Sequence, residues 1–164
     1  MPFSTNFNHF LLSNPLKNQG DELWTWGSGI MGELGSGLFD NVYQPTKIDH
    51  CFDSSGIKFL KSINFKSFVL TRAGNIFCCG MNEHYIFGNI GMCQSTFIKY
   101  KHLENISMFN STSNFCLAKK ESGELFVWGN IDPLCPTAEK PIILDIPCSA
   151  IYEIYGGFHY AVIS

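Results

Sequence analysis

Three apolar stretches of this chain end on a glycine: Leu23-Trp24-Thr25-Trp26-Gly27, Ile76-Phe77-Cys78-Cys79-Gly80 and Leu125-Phe126-Val127-Trp128-Gly129. The glycines are 53 and 49 residues apart, and the segments around them also match. Recurrence at that period means stacked copies of one supersecondary unit, each too small to bury its own apolar face. The repeat constrains the architecture and leaves the chemistry open.

Another short apolar run, bounded by Gly, Asn or Ser, precedes each glycine-ended strand, at 4–13, 64–71 and 111–119, and recurs at 156–164. Such runs read as buried strands. The turns Arg72-Ala73-Gly74-Asn75 and Glu121-Ser122-Gly123-Glu124 join the two strands in two copies. Their glycines can take the positive φ a tight hairpin needs. A glycine-rich stretch follows, fullest in 27–37, then third strands at 44–48, 96–100 and 140–144 and fourth strands at 58–63, 106–109 and 151–155. Roughly four short strands per unit, with turn signals between them, are the pattern of propeller blades. Glycine or proline interrupts every window longer than about ten residues, which argues against helices. The fold class expected is all-β.

Only one of the eleven basic residues is an arginine, Arg72, and the formal net charge is −3. Nucleic-acid binding needs a basic footprint that this chain lacks, so direct binding to DNA or RNA is not expected. Charged residues make up 15%, against roughly 25% in soluble domains, which fits either more covered surface than a free monomer has or simply a β-rich chain poor in lysine and glutamate. The seven cysteines, Cys51, Cys78, Cys79, Cys93, Cys116, Cys135 and Cys148, are odd in number and have no C-x-x-C spacing. Neither a zinc site nor a disulfide framework is indicated. Cys78, Cys79 and Cys116 fall inside predicted strands, where a free cysteine acts as a small hydrophobe. A reducing, intracellular setting, cytoplasm or nucleus, is expected. No signal peptide and no membrane-length apolar run is evident.

Several motifs suggest chemistry that their context does not support. Gly27-Ser28-Gly29-Ile30-Met31-Gly32 satisfies G-x-G-x-x-G, but a dinucleotide site needs a helix after the third glycine. Gly35, Gly37 and Pro45 interrupt that region. Trp26 and Trp128 sit at equivalent repeat positions and read as packing residues. His9, His50, His84, His102 and His159 show no metal-ligand spacing. No catalytic, cofactor-binding or metal-binding residue is assigned, and the chain is not expected to be an enzyme. Glu33, Asp40, Asp53 and Asp132 lie in predicted loops, where solvation is the default reading. Glu33, Asp40 and Asp132, with Tyr160 and Val162 near the last strand, are the expected partner contacts.

The Trp-Gly strand end, Gly32-Glu33-Leu34-Gly35-Ser36-Gly37, Gln44-Pro45-Thr46 and the strand Gly156-Gly157-Phe158-His159 resemble repeats of the regulator of chromosome condensation family. The resemblance covers residues 4–164. It implies structural roles for Trp26, Gly27, Gly32, Gly35, Gly80, Gly88, Trp128, Gly129 and His159. The third copy replaces the glycine run with Asn130-Ile131-Asp132-Pro133. His9 and His159 match the histidine that begins the family's inner strand, while Lys66 and Phe115 stand in the other copies. The organisation expected is an N-terminal strand at 1–19 completing the first blade, then three repeats at about 20–72, 73–120 and 121–164.

Family propellers are usually seven-bladed, so about three blades make a partial propeller, either an open arc or a fragment of a longer one. The resemblance implies a non-catalytic module for protein–protein interaction, a subunit or scaffold of a larger complex. It has a protein partner or associates with itself through open blade edges. Guanine-nucleotide exchange on a small Ran-like GTPase is the alternative, which mantGDP release would distinguish, and chromatin association is a third reading. No cofactor and no membrane partner is implied.

Overall fold

The protein is represented by a computed structural model that describes residues 2–5, 8–16, 20–49, 52–131, 135–145, 154–156 and 161–163. Asp132, His159 and Tyr160 lie outside the described residues, and so do Cys51 and Cys148.

Three four-stranded antiparallel sheets follow one another along the chain, each with its strands in sequence order. The first holds β1 (Phe3–Thr5), β2 (His9–Leu16), β3 (Gly20–Gly27) and β4 (Val42–Ile48). The second holds β5 (Ile57–Ile63), β6 (Lys66–Thr71), β7 (Ile76–Met81) and β8 (Cys93–Lys99). The third holds β9 (Ile106–Ser111), β10 (Phe115–Lys120), β11 (Leu125–Ile131) and β12 (Cys135–Ile143). A hairpin of β13 (Ile154–Gly156) and β14 (Ala161–Ile163) comes next, so Val162 is a strand residue. No α-helix occurs among the described residues, which include one 3-10 turn at Glu83–Tyr85. None of their helices is long and apolar enough to cross a membrane.

The first strands of successive sheets, β1 with β5, β5 with β9 and β9 with β13, lie against one another. The sheets therefore fan from a common inner edge as propeller blades do. The segment at 58–63, fourth in the sequence unit, forms β5 and opens the next sheet. Cuts at 20, 73 and 121 thus fall between the second and third strands of each sheet.

Packing explains why the middle strands carry so few polar residues. β6 is buried along its whole length. Its Val69 joins Phe77 and Cys79 of β7 in one core, with Leu11, Leu23, Leu60 and Phe97 at the seam with the first blade. Phe68 and Leu70 point the other way, joining Ile76, Cys78, Phe109, Cys116 and Trp128 at the seam with the third blade. Side chains alternate across a strand, so a blade covered on both faces must be apolar at consecutive positions. Cys78, Cys79 and Cys116 are buried free thiols within these strands, and burial pushes all three thiol pKa values up.

The recurring glycine has a steric cause. Gly27, Gly80 and Gly129 have φ of +105°, +101° and +103°. A Cβ at Gly80 would stand 2.1 Å from the Phe65 carbonyl oxygen. The next amide in each copy closes on that same carbonyl: Ser28 N donates to Asn8 O, Met81 N to Phe65 O and Asn130 N to Asn114 O. Opposite the three glycines stand His9, Lys66 and Phe115, as the repeat alignment requires.

Gly32 follows Gly27 by five residues, with φ +83°, and at the same step from Gly80 the second copy has Tyr85 at φ +56°. An L-residue there carries about 1–2 kcal/mol of strain, partly offset by the entropy that glycine loses on folding. Tyr85→Gly is therefore expected to raise stability by up to about 1 kcal/mol in a urea titration.

Candidate functional site

The seams between blades are held by a repeated contact. In each of the first two blades the loop after the third strand reaches over to the next blade. The Ser67 hydroxyl donates to the Glu33 carbonyl oxygen at 2.6 Å, and the Trp128 indole N–H donates to the Ile86 carbonyl oxygen at 2.8 Å. Glu33 and Ile86 are the sixth residues after Gly27 and Gly80, so the same loop position is used twice. Gly35 must be small, because a Cβ there would meet the Phe97 ring at 2.3 Å. Gly88 has φ +87°.

His9 Nε2 lies 2.7 Å from Ser67 Oγ. A histidine–serine contact is the start of a nucleophile pair, yet His9, Ser67 and Glu33 are all fully buried. The Ser67 proton is committed to a backbone carbonyl. The trio joins two blades and offers no reactive oxygen to a substrate. Burial pushes the His9 pKa from 6.5 down to about 4, opposed by a hydrogen bond to the Lys66 backbone. Lys66 repeats this role one blade on: it is buried, and its ammonium donates to the Ser113 carbonyl oxygen at 3.1 Å. Burial lowers its pKa too, against the opposing influence of Glu83 and Cys116.

Trp26 and Trp128 occupy equivalent positions but differ in surroundings. Trp128 is fully buried, stacked on Tyr100 with centroids 4.9 Å apart. Trp26 stacks on Phe10 at 5.0 Å and stays half-buried. Phe10, Leu12, Trp24 and Trp26 share the face of the first sheet opposite to Leu11 and Leu23, which pack into the seam.

The acidic residues separate sharply. Glu33 lies in a loop, as expected, but the reading of it as a solvated partner contact is corrected. Its carboxylate is turned inward, accepting from the Ser28 hydroxyl and the Met31 amide, both at 2.8 Å. Asp53 is half-buried and locks a turn. Burial works to raise its pKa, but hydrogen bonds from Ser55, Thr71 and Asn75 bring it below the usual carboxylate range. Asp40 alone of the three is exposed.

Around Asp40 lies a feature that sequence reasoning missed. Tyr43 is 88% exposed, Met92 76% and Leu38 59%, with Ile30 and Phe39 about half exposed. Ile30, Leu38, Phe39 and Met92 lie in the loops that follow third strands, and Tyr43 lies at the start of β4. Gly29 abuts the Asp40 carbonyl, and its amide donates to Asn41 Oδ1 at 3.2 Å. Ile30 comes next. Met31 Sδ is 4.0 Å from Cys93 Sγ, beside Met92. The Gly37 amide, next to Leu38, donates to the Ser95 carbonyl. The signal available in the sequence was Leu38-Phe39 between Gly37 and Asp40, two large apolar residues in a loop with no strand alternation to bury them.

A cavity of about 1260 Å³ surrounds β8, lined by Phe52, Phe77 and Phe97 of one seam and by Phe87, Ile98 and His102 near the other. Two charged groups on its wall are already engaged, Asp53 in its turn and Lys99 with Glu104 at 2.9 Å. Among the described residues no three His, Cys, Asp or Glu side chains are placed to hold a metal ion.

No protein-family model matches the chain. It is 26% identical over 115 residues to human E3 ubiquitin-protein ligase HERC2, covering 68% of this chain and 2% of that protein. It is 29% identical over 114 residues to the mitochondrial RCC1 domain-containing protein RUG3 of Arabidopsis thaliana, covering 66% of this chain and 25% of that protein. Among solved structures, Prp20p of Saccharomyces cerevisiae, described together with its binding to Gsp1p and histones, superposes with a TM-score of 0.81 at 16% identity. The match covers 98% of this chain and 42% of Prp20p. The chain thus spans a quarter or less of these two curated relatives. Strand order and the glycine-ended third strand agree with these matches: the chain has the β-propeller blade fold, and its repeats resemble those of the regulator of chromosome condensation type.

Proposed function

We propose that the chain is a non-catalytic interaction module, a subunit or scaffold that binds a protein partner through the loop face carrying Ile30, Leu38, Phe39, Tyr43 and Met92. The carrying observation is the set of exposed apolar side chains, Ile30, Leu38, Phe39 and Met92 in loops and Tyr43 at the start of β4, on a rigid sheet scaffold. Contiguous exposed apolar surface rimmed by polar groups marks interaction sites. Asp40 is the acidic residue we retain as a contact on that face; Asp132, Tyr160 and Val162 remain proposals. Four free cysteines, Cys78, Cys79, Cys93 and Cys116, support a reducing, intracellular setting.

Exchange on a Ran-like GTPase and chromatin association are the other readings for this family. Binding to Gsp1p and histones is described for Prp20p, with which this chain shares the fold at 16% identity. Neither reading draws support from an exposed arginine cluster here, since Arg72 is the single arginine and its guanidinium faces Asp21 at 3.5 Å.

Affinity purification from the native cell with the chain and with a Phe39→Ser/Met92→Ser variant tests the proposal. Partners retained by the chain are expected to be lost from the variant. Equal recovery by both would place the interface elsewhere.

A further inference from the structure

We infer that the loop face takes a basic protein segment: an apolar anchor residue flanked by lysine or arginine. The inference rests on the interaction reading above and adds the partner's chemistry. Its ground is the distribution of charge over the blades. The loops of this face are 28–41 and 82–92, with the short turns 64–65 and 112–114 beside them. None of these segments contains a lysine or an arginine, although the chain has eleven basic residues. The basic residue nearest in sequence to the inner turns, Lys66, is buried and bound to the Ser113 carbonyl. Exposed acids are present instead. Asp40 follows Phe39 directly, and Glu83 opens the turn that leads to exposed Tyr85. Among the described residues, lysines are found on the strands and at the opposite end, where Lys47 pairs with Glu22 and Lys99 with Glu104.

A face with apolar anchors, exposed Asp40 and Glu83 and no lysine or arginine on its loops attracts a partner of positive charge and repels one of negative charge. Complementary charge sets the choice of partner and the encounter rate, while burial of the apolar anchors supplies most of the affinity. Nucleic acid is disfavoured by the same sign of charge. The occupant is thus a protein segment whose lysines or arginines meet Asp40 and Glu83 while one aromatic or aliphatic side chain settles among Ile30, Phe39 and Met92.

Phage-displayed random peptides selected on the intact chain provide the test, with consensus peptides synthesised and titrated by fluorescence anisotropy. The expected consensus has an aromatic, leucine or methionine anchor with lysine or arginine around it. Phe39→Ser/Met92→Ser should weaken its binding by at least about tenfold. Asp40→Asn/Glu83→Gln should weaken it by about threefold to tenfold and flatten its salt dependence. Circular dichroism of each variant verifies that the blades remain folded. A neutral or acidic consensus that still depends on Phe39 and Met92 would overturn the charge inference and leave the interaction reading standing. Binding indifferent to both pairs of substitutions, or the absence of any selected peptide, would overturn both. Self-association in sedimentation that Phe39→Ser abolishes would make a second copy the occupant and also overturn the inference.

Discussion

Trp128→Ala should lower unfolding free energy by about 4 kcal/mol, the usual cost of emptying a large aromatic site in a core. The indole is fully buried between β9 and the loop of the second blade, stacked on Tyr100 and 6.2 Å from Phe109. Removing it leaves a void at the seam and strips the Ile86 carbonyl of its donor. Trp128→Phe keeps much of the volume and loses the N–H, so about 1–2 kcal/mol is expected from the unpaired buried carbonyl. Trp26→Ala, at the equivalent position on a half-buried face, should cost well under half as much as Trp128→Ala. Urea titrations of the three variants check the order. Equal losses at Trp26 and Trp128 would mean that repeat position, and not the neighbouring blade, sets the energetics.

Acidification should destabilise the protein through His9. Its pKa is about 4 when folded, against 6.5 as the ordinary value. Between those values the unfolded chain binds the proton and the folded chain does not, so stability is whole above pH 6.5 and falls as pH drops toward 4. The gap corresponds to about 3 kcal/mol, lost progressively across that window. A protonated imidazole at this site would be a buried cation beside Ser67, with the Glu33 carboxylate already engaged by Ser28 and Met31. His9→Gln, which does not titrate, should be less stable at neutral pH and flatter from pH 6.5 to 4.5. Asp53 and Glu22, whose pKa values are lowered, add their own losses only toward the acid end. Chemical unfolding at a series of pH values, wild type against variant, isolates the histidine; parallel curves would sink the assignment.

Much of the fold was legible because it depends on local rules. Glycine-ended strands at 27, 80 and 129 were readable as equivalent, and the structure supplies the cause in a positive φ and a carbonyl that leaves no room for a Cβ. Cysteines at 78, 79 and 116 read as buried because strands without polar alternation are covered on both faces. The candidate site was less legible. Glu33 and Asp40 lie in one loop seven residues apart, and composition treats them alike. One is fully buried against the second blade and the other faces solvent.

The sequence by itself determined most of the strands and their order, the turns between them and the family they resemble, although 4–13 read as one run and holds both β1 and β2. These follow from φ preferences and from the period of apolar residues, which act over a few neighbouring positions. Only the tertiary structure decided which strands share a sheet, since 58–63 follows β4 in the chain yet opens the next blade. It also decided that Trp128 is enclosed where Trp26 is half-buried, and that Leu38, Phe39 and Met92 remain exposed. Burial depends on what lies across a seam, and residues that meet there are tens of positions apart, as Glu33 and Ser67 are. No local pattern encodes that distance, and the surface left over after the blades have packed is the one available to a partner.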